Sequence, residues 1–169
     1  MNRSLLNDLL KKMKSNLLEG KSIGNLKIGA LLALGSQLEA VFYYLGHELG
    51  SLFDVPKVYD LTKIPEELVK IIKKYNLGEI DITGLSQEQI SHEHLTVKLR
   101  SCLTCKDLLS SKISAEGTFC SFEAGLLAAL VEKMSDLQCF AQEEKCSLQT
   151  DQSYCEFIIV YQKDSINHI

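Results

Sequence analysis

Four residues in the second half of the chain, Cys120, Glu143, Cys146 and Cys155, constrain the fold more than any other feature. Three thiolates and one carboxylate make a complete tetrahedral shell for zinc (Zn2+). Soft sulfur donors displace water from the ion and stay deprotonated once bound. Zinc held by this set would clamp a helix start near Cys120 to a hairpin whose two arms carry Cys146 and Cys155. Four protein ligands leave no open position for water, so such an ion is structural rather than hydrolytic. Glu143 and Cys146 are three apart and would face opposite sides of a regular strand. A bulge or the strand's end must turn them together.

Other readings of the same residues stay open on chemistry alone. Cys120, Cys146 and Cys155 could be small buried hydrophobes, with Glu143 a solvated strand residue. Cys102 and Cys105 have the spacing of a zinc knuckle and could join Cys146 and Cys155 in an all-thiolate site. The same pair could be a redox couple or a strained local disulfide. Residue chemistry does not rank the all-thiolate site below the first. His92 and His94 lie on a polar connector and read as exposed, and Cys139 reads as a packed thiol.

A chain of 169 residues, 46% hydrophobic and 24% charged, fits one folded domain spanning 1–169. The formal net charge of -4 gives no background attraction to nucleic acid. Lys11, Lys12 and Lys14 read as a solvated helix face. The greasiest stretch, Ile28 to Leu34, is too short to cross a bilayer, and no signal peptide opens the chain. A cytoplasmic location follows, with six cysteines used as thiols or ligands rather than as a disulfide framework.

The leucines at 5, 6, 9, 10, 17 and 18, with Met13, recur at helical spacing, so residues 1–24 read as an amphipathic helix with a face suited to a dimer interface. Asn25 to Phe53 reads as one long helix or two joined near Gly35. Gly46 and Gly50 each cost about 1 kcal/mol relative to Ala inside a helix, which close approach of another helix or of a bound molecule would explain. Pro65 opens a further helix that Gly78 closes in the left-handed position. Ile80 and Ile82 give a short strand, and Leu95, Val97 and Leu99 a half-buried one. A helix begins near Cys120, with Phe122, Leu126, Ala129 and Leu130 facing inward. Gly125 and Ala129, four apart, allow close backbone packing. Two strands follow, about 138–148 and 153–162. The last is apolar on both faces, so it is central or covered. This order predicts an α+β fold, a helical layer packed on a small antiparallel sheet.

The segment Cys120-Ser-Phe122-Glu-Ala-Gly125-Leu-Leu-Ala-Ala129, then Glu143-Glu-Lys-Cys146, then Tyr154-Cys155-Glu-Phe157-Ile-Ile resembles the vinyl-4-reductase domain family. Gly35, Leu45, Gly46, Leu49 and Gly50 resemble the family's upstream part. Ala129 stands where the family often has Gly, and Thr150-Asp151-Gln152 replaces its usual turn. The resemblance implies a fold shared with vesicle-tethering subunits and with sensor domains of aromatic-responsive activators, commonly dimeric. It also implies a zinc site at Cys120, Glu143, Cys146 and Cys155, leaving Cys102 and Cys105 as a separate pair.

Three functions compete on this basis. The first is a zinc-stabilised regulatory or carrier module for a hydrophobic or aromatic small molecule. Leu38, Phe42, Tyr43, Tyr44, Leu45 and Phe122 would line its pocket, with Gly46 making room. The second is a homodimeric protein-interaction scaffold with no small ligand. The third, a reductase-associated protein acting on a vinyl-bearing tetrapyrrole, lacks a visible nicotinamide or flavin fingerprint.

Overall fold

The computed structural model describes residues 11, 14–15, 19, 23–35, 38–81, 94–106, 108, 117–149 and 153–162. Helix α1 spans Gly24–Leu34 and α2 spans Leu38–Ser51. The break falls at Gly35, whose φ of 84° lies in the region that disfavours a side chain. The region between 25 and 53 is therefore two helices. Most of the predicted N-terminal helix, 1–24, lies outside the described residues. Residues 11, 14 and 15 are helical, and the Lys14 ammonium donates to the Leu52 carbonyl at 3.0 Å.

A 3-10 turn, Leu61–Lys63, is capped by Asp60, whose carboxylate accepts from the Thr62 amide at 3.1 Å. It leads into α3, Ile64–Lys74, with Pro65 in the first turn, where its missing N–H is harmless. Ile64, Leu68, Ile71 and Ile72 form its buried face. Its end differs from the sequence expectation. Asn76 takes the left-handed conformation (φ 53°), and Gly78 (φ 132°) instead carries the chain into the next strand. Asn tolerates this region because its side chain bonds locally.

The strands are β1 (Glu79–Asp81), β2 (His94–Arg100), β3 (Gln138–Lys145) and β4 (Cys155–Gln162), with helix α4 (Ser121–Ser135) before the final hairpin. Ile82, Thr83 and His92 lie outside the described residues. All pairings are antiparallel, in the order β1-β2-β4-β3, so β4 is an inner strand. Its two-sided apolar character follows from that position. Leu95, Val97 and Leu99 of β2 and Phe157 and Ile159 of β4 point into the core between sheet and helices.

Helix α4 is the centre of the molecule, buried from Phe122 through Val131. It crosses α2 with backbone nearly touching backbone. A Cβ added at Gly46 would lie 1.9 Å from the Phe122 carbonyl oxygen, and one at Gly125 would lie 1.9 Å from that of Tyr43. The glycines thus give the crossing its closeness, and the space freed by Gly46 is filled by α4. This tight pair fixes Cys120, just ahead of α4, relative to the sheet.

Candidate metal centre

The turn after β2 places Cys102 and Cys105. Ser101 enters it with a positive φ of 54°, and the Cys102 carbonyl accepts from the amides of Cys105 (3.0 Å) and Lys106 (2.9 Å). Cys120 stands at the N-terminus of α4. Cys146 and Cys155 flank the hairpin turn, where the Gln149 amide bonds the Cys146 carbonyl at 3.0 Å. A register shift between Glu143 and Lys145 supplies the bulge that a three-residue Glu-to-Cys spacing demands.

These elements bring the sulfurs of Cys105, Cys120, Cys146 and Cys155 within 4.8 Å of one another, all buried. The separations are 2.9 Å (105–120), 3.7 Å (105–146), 4.0 Å (120–146), 3.6 Å (120–155) and 4.0 Å (105–155). Zinc-sulfur bonds of about 2.3 Å put the corners of a tetrahedron about 3.8 Å apart. The quartet therefore fits a single ion, while a multi-iron cluster would spread its ligands wider. Polar groups already stand beside the sulfurs. The Ser147 amide lies 3.3 Å from Cys155 Sγ, and the Thr104 hydroxyl 3.3 Å from Cys120 Sγ. Contacts with the sulfurs of Cys102, Cys105, Cys120 and Cys146 hold the Cys155 pKa well below its ordinary value, whereas burial pushes that of Cys120 up. Four buried sulfurs at this spacing offer soft donors whose thiolate form a soft cation would stabilise.

Of the four ligands anticipated from sequence, three stand together in this cluster. The carboxylate of Glu143 does something else. Its Oε2 accepts the amides of Phe119 (2.5 Å) and Cys120 (2.6 Å), so it caps the approach to α4. Its Oε1 is buried without a hydrogen-bond partner. Burial, then the neighbouring sulfurs of Cys146 and Cys155, push its pKa up to about 10. Cys105 Sγ stands with these three sulfurs instead, and Cys102 lies beside Cys120 and Glu123.

The residues expected around a ligand sit on both sides of the helical layer. Phe42, Gly46 and Phe122 are buried, Leu38, Tyr43 and Leu45 half-buried, and Tyr44 exposed. Tyr43 reaches the sheet, stacking on Phe140 with ring centres 5.4 Å apart and accepting the Ala141 amide at 3.3 Å.

Two buried charges were not singled out from the sequence. Lys27 on α1 is 0% exposed. Its ammonium donates to Glu39 (2.7 Å), to the Ser121 hydroxyl (2.8 Å) and to the Phe119 carbonyl, using all three protons. It also lies 4.5 Å from the Phe119 ring centre. Glu123 on α4 is equally buried, with its carboxylate on Thr104. A lone charge inside an apolar helical run was the available signal for both.

No family model matches the chain. It is 27% identical over 172 aligned positions to an uncharacterized protein of Methanocaldococcus jannaschii, covering 94% of this chain and 92% of that one. Another uncharacterized protein of that organism is 30% identical over 119 positions, 70% of this chain and 55% of the relative. Among solved structures, a vinyl-4-reductase family protein from Methanocaldococcus jannaschii superposes with a TM-score of 0.58 at 20% identity, covering 96% of this chain and 98% of the other. The phenol-responsive sensory domain of the transcription activator PoxR, solved with phenol, gives 0.60 at 10% identity, covering 82% and 72%. A trafficking protein particle complex subunit 3 from Naegleria fowleri, covalently bound to palmitic acid, gives 0.52 at 13% identity, covering 94% of each chain. The α+β fold anticipated from sequence is the one these three proteins share.

Proposed function

We propose that this vinyl-4-reductase-like domain is a zinc-stabilised binding module for a hydrophobic or aromatic small molecule, acting as a regulator or carrier. The buried quartet of Cys105, Cys120, Cys146 and Cys155 carries the reading. Its spacing suits one tetrahedral ion, and its position ties the post-β2 turn, α4 and the hairpin into one unit. The ligand part draws support from two proteins of the same fold, one solved with phenol and one bound to palmitic acid. Six free cysteines suit a reducing, cytoplasmic setting. Among the described residues no helix is long and apolar enough to cross a membrane.

Protein purified without chelator tests both parts. Metal analysis should find tightly held zinc. Mass spectrometry of the extracted protein, together with thermal shifts against phenols and long-chain fatty acids, should identify a stabilising guest. A guest present at 100 times its Kd adds about 2.7 kcal/mol. No bound metal would sink the zinc reading, and no stabilising guest would sink the ligand reading.

A second reading, a homodimeric scaffold, is favoured by one observation. Leu26 (68% exposed) and Leu32 (85%) on α1, with Val41 and Tyr44 on α2, present apolar surface outward. Sedimentation showing a stable dimer, with a packed interior and no guest, would favour it. A monomer in dilute solution would exclude it.

A further inference from the structure

The quartet does not use all the donors at this centre. Cys120 Sγ also lies with Cys102 Sγ and a carboxylate oxygen of Glu123, all three within 4.8 Å of one another and all buried. A carboxylate cut off from water needs a proton or a cation. The Thr104 amide donates to Glu123 Oε1 at 2.7 Å, and the Thr104 hydroxyl lies 2.8 and 2.7 Å from the two oxygens. One amide proton and one hydroxyl proton serve these three contacts. With the amide of Glu123 itself also close, at least one of a carboxylate's roughly four acceptor sites stays open. Cys102 is equally enclosed, with a long 3.7 Å approach to the Leu99 carbonyl beside its contacts with the sulfurs of Cys120 and Cys155.

We propose that Cys102, Cys120 and Glu123 hold a second zinc ion. The Cys120 thiolate bridges it to the first, and the Thr104 hydroxyl completes its shell. A thiolate sulfur has lone pairs enough to bind two ions at once. The charges also balance. Four thiolates around one divalent ion leave two net negative charges, and ionising Cys102 and Glu123 adds two more. A second divalent ion removes those two, so the larger cluster buries no more net charge than the smaller one. The local fold suits this division. The turn from Cys102 to Cys105, closed by bonds to the Cys102 carbonyl, would offer Cys105 to one ion and Cys102 to the other. The two-residue spacing then serves neighbouring ions rather than a redox pair.

This inference rests on the metal reading above, and ion counting separates the two. Reduced, chelator-stripped full-length protein is titrated with zinc and counted by native mass spectrometry. A parallel titration with cobalt(II) follows sulfur-to-metal charge-transfer absorption and magnetic resonance. The expected result is two ions per chain, with the cobalt pair magnetically coupled through the shared sulfur. Cys102→Ser and Glu123→Gln should each hold one ion, with the helical circular dichroism of the parent. If Glu123→Gln fails to fold, Cys102→Ser alone decides. One ion in the parent at zinc excess, or two uncoupled cobalt ions, overturns the bridged pair while leaving the quartet. No ion at all overturns both readings.

Discussion

Replacing Gly46 by Ala puts a methyl group where the backbone of α4 already lies. Its Cβ would stand 1.9 Å from the Phe122 carbonyl oxygen, 2.9 Å from the Phe122 carbonyl carbon and 3.1 Å from the Leu126 amide nitrogen. Real Cβ atoms keep at least 3.0 Å, so the helices must separate by about 1.1 Å at this point. No flexible side-chain end can yield instead, because the obstacles are main chain. Overpacking of this kind costs about 1–3 kcal/mol, and a backbone obstacle places it at the upper end. Ala regains about 1 kcal/mol of helix propensity. The net loss is about 2 kcal/mol, which for a chain of this size lowers Tm by about 4–8 °C. Gly125→Ala meets the reciprocal obstacle at Tyr43 and should behave alike. Gly29→Ala on α1 is the control, since nothing lies within 4 Å of its Cβ. That variant should gain up to about 1 kcal/mol. Urea and thermal denaturation of the three variants in parallel measure this. A Gly46→Ala protein as stable as the parent would refute the close crossing of α2 and α4, and with it the placement of Cys120.

Three further outcomes follow from the site and its surroundings. Cys155→Ser removes one corner of the quartet, so zinc content should fall below that of the parent and Tm with it, read by metal analysis and calorimetry on the same samples. Glu143→Ala leaves the buried amides of Phe119 and Cys120 without an acceptor, costing about 1–3 kcal/mol for each, while Glu143→Gln keeps an acceptor and should cost less by denaturant titration. Hydrogen bonds from the Thr62 hydroxyl and amide hold the Asp60 carboxyl below its usual 3.8, so its capping contribution is present above that pH and disappears as pH falls through the lower folded value. An NMR titration in which Asp60 ionises at or above 3.8 would contradict that bond.

Local pattern alone determined much of this protein. The alternation of Leu95, Val97 and Leu99 gave the inward face of β2, and Pro65 gave the start of α3, because a two-residue period and a missing N–H act within a few residues. The small residues Gly46, Gly50, Gly125 and Ala129 announced close helix packing for a similar reason, since each gap of four keeps one face of a helix bare. Chemistry and spacing left Cys120, Cys146 and Cys155 in competition with a set of Cys102, Cys105, Cys146 and Cys155, and only the family resemblance favoured the first.

Tertiary structure decided the rest. Whether Cys105 or Glu143 stands at the fourth corner depends on how the turn after β2 lies against the N-terminus of α4, and the two are separated in sequence by residues that carry no record of that contact. The bulge after Glu143 turns Cys146 inward, while the amides of Phe119 and Cys120 draw the Glu143 carboxylate to the helix end. Lys27 and Glu123 looked like ordinary helix charges because burial is a property of the packed layers. Their partners, Ser121 and Thr104, reach them only across those layers. Sequence sets which groups a chain can offer, and the packing of distant segments sets which of them meet.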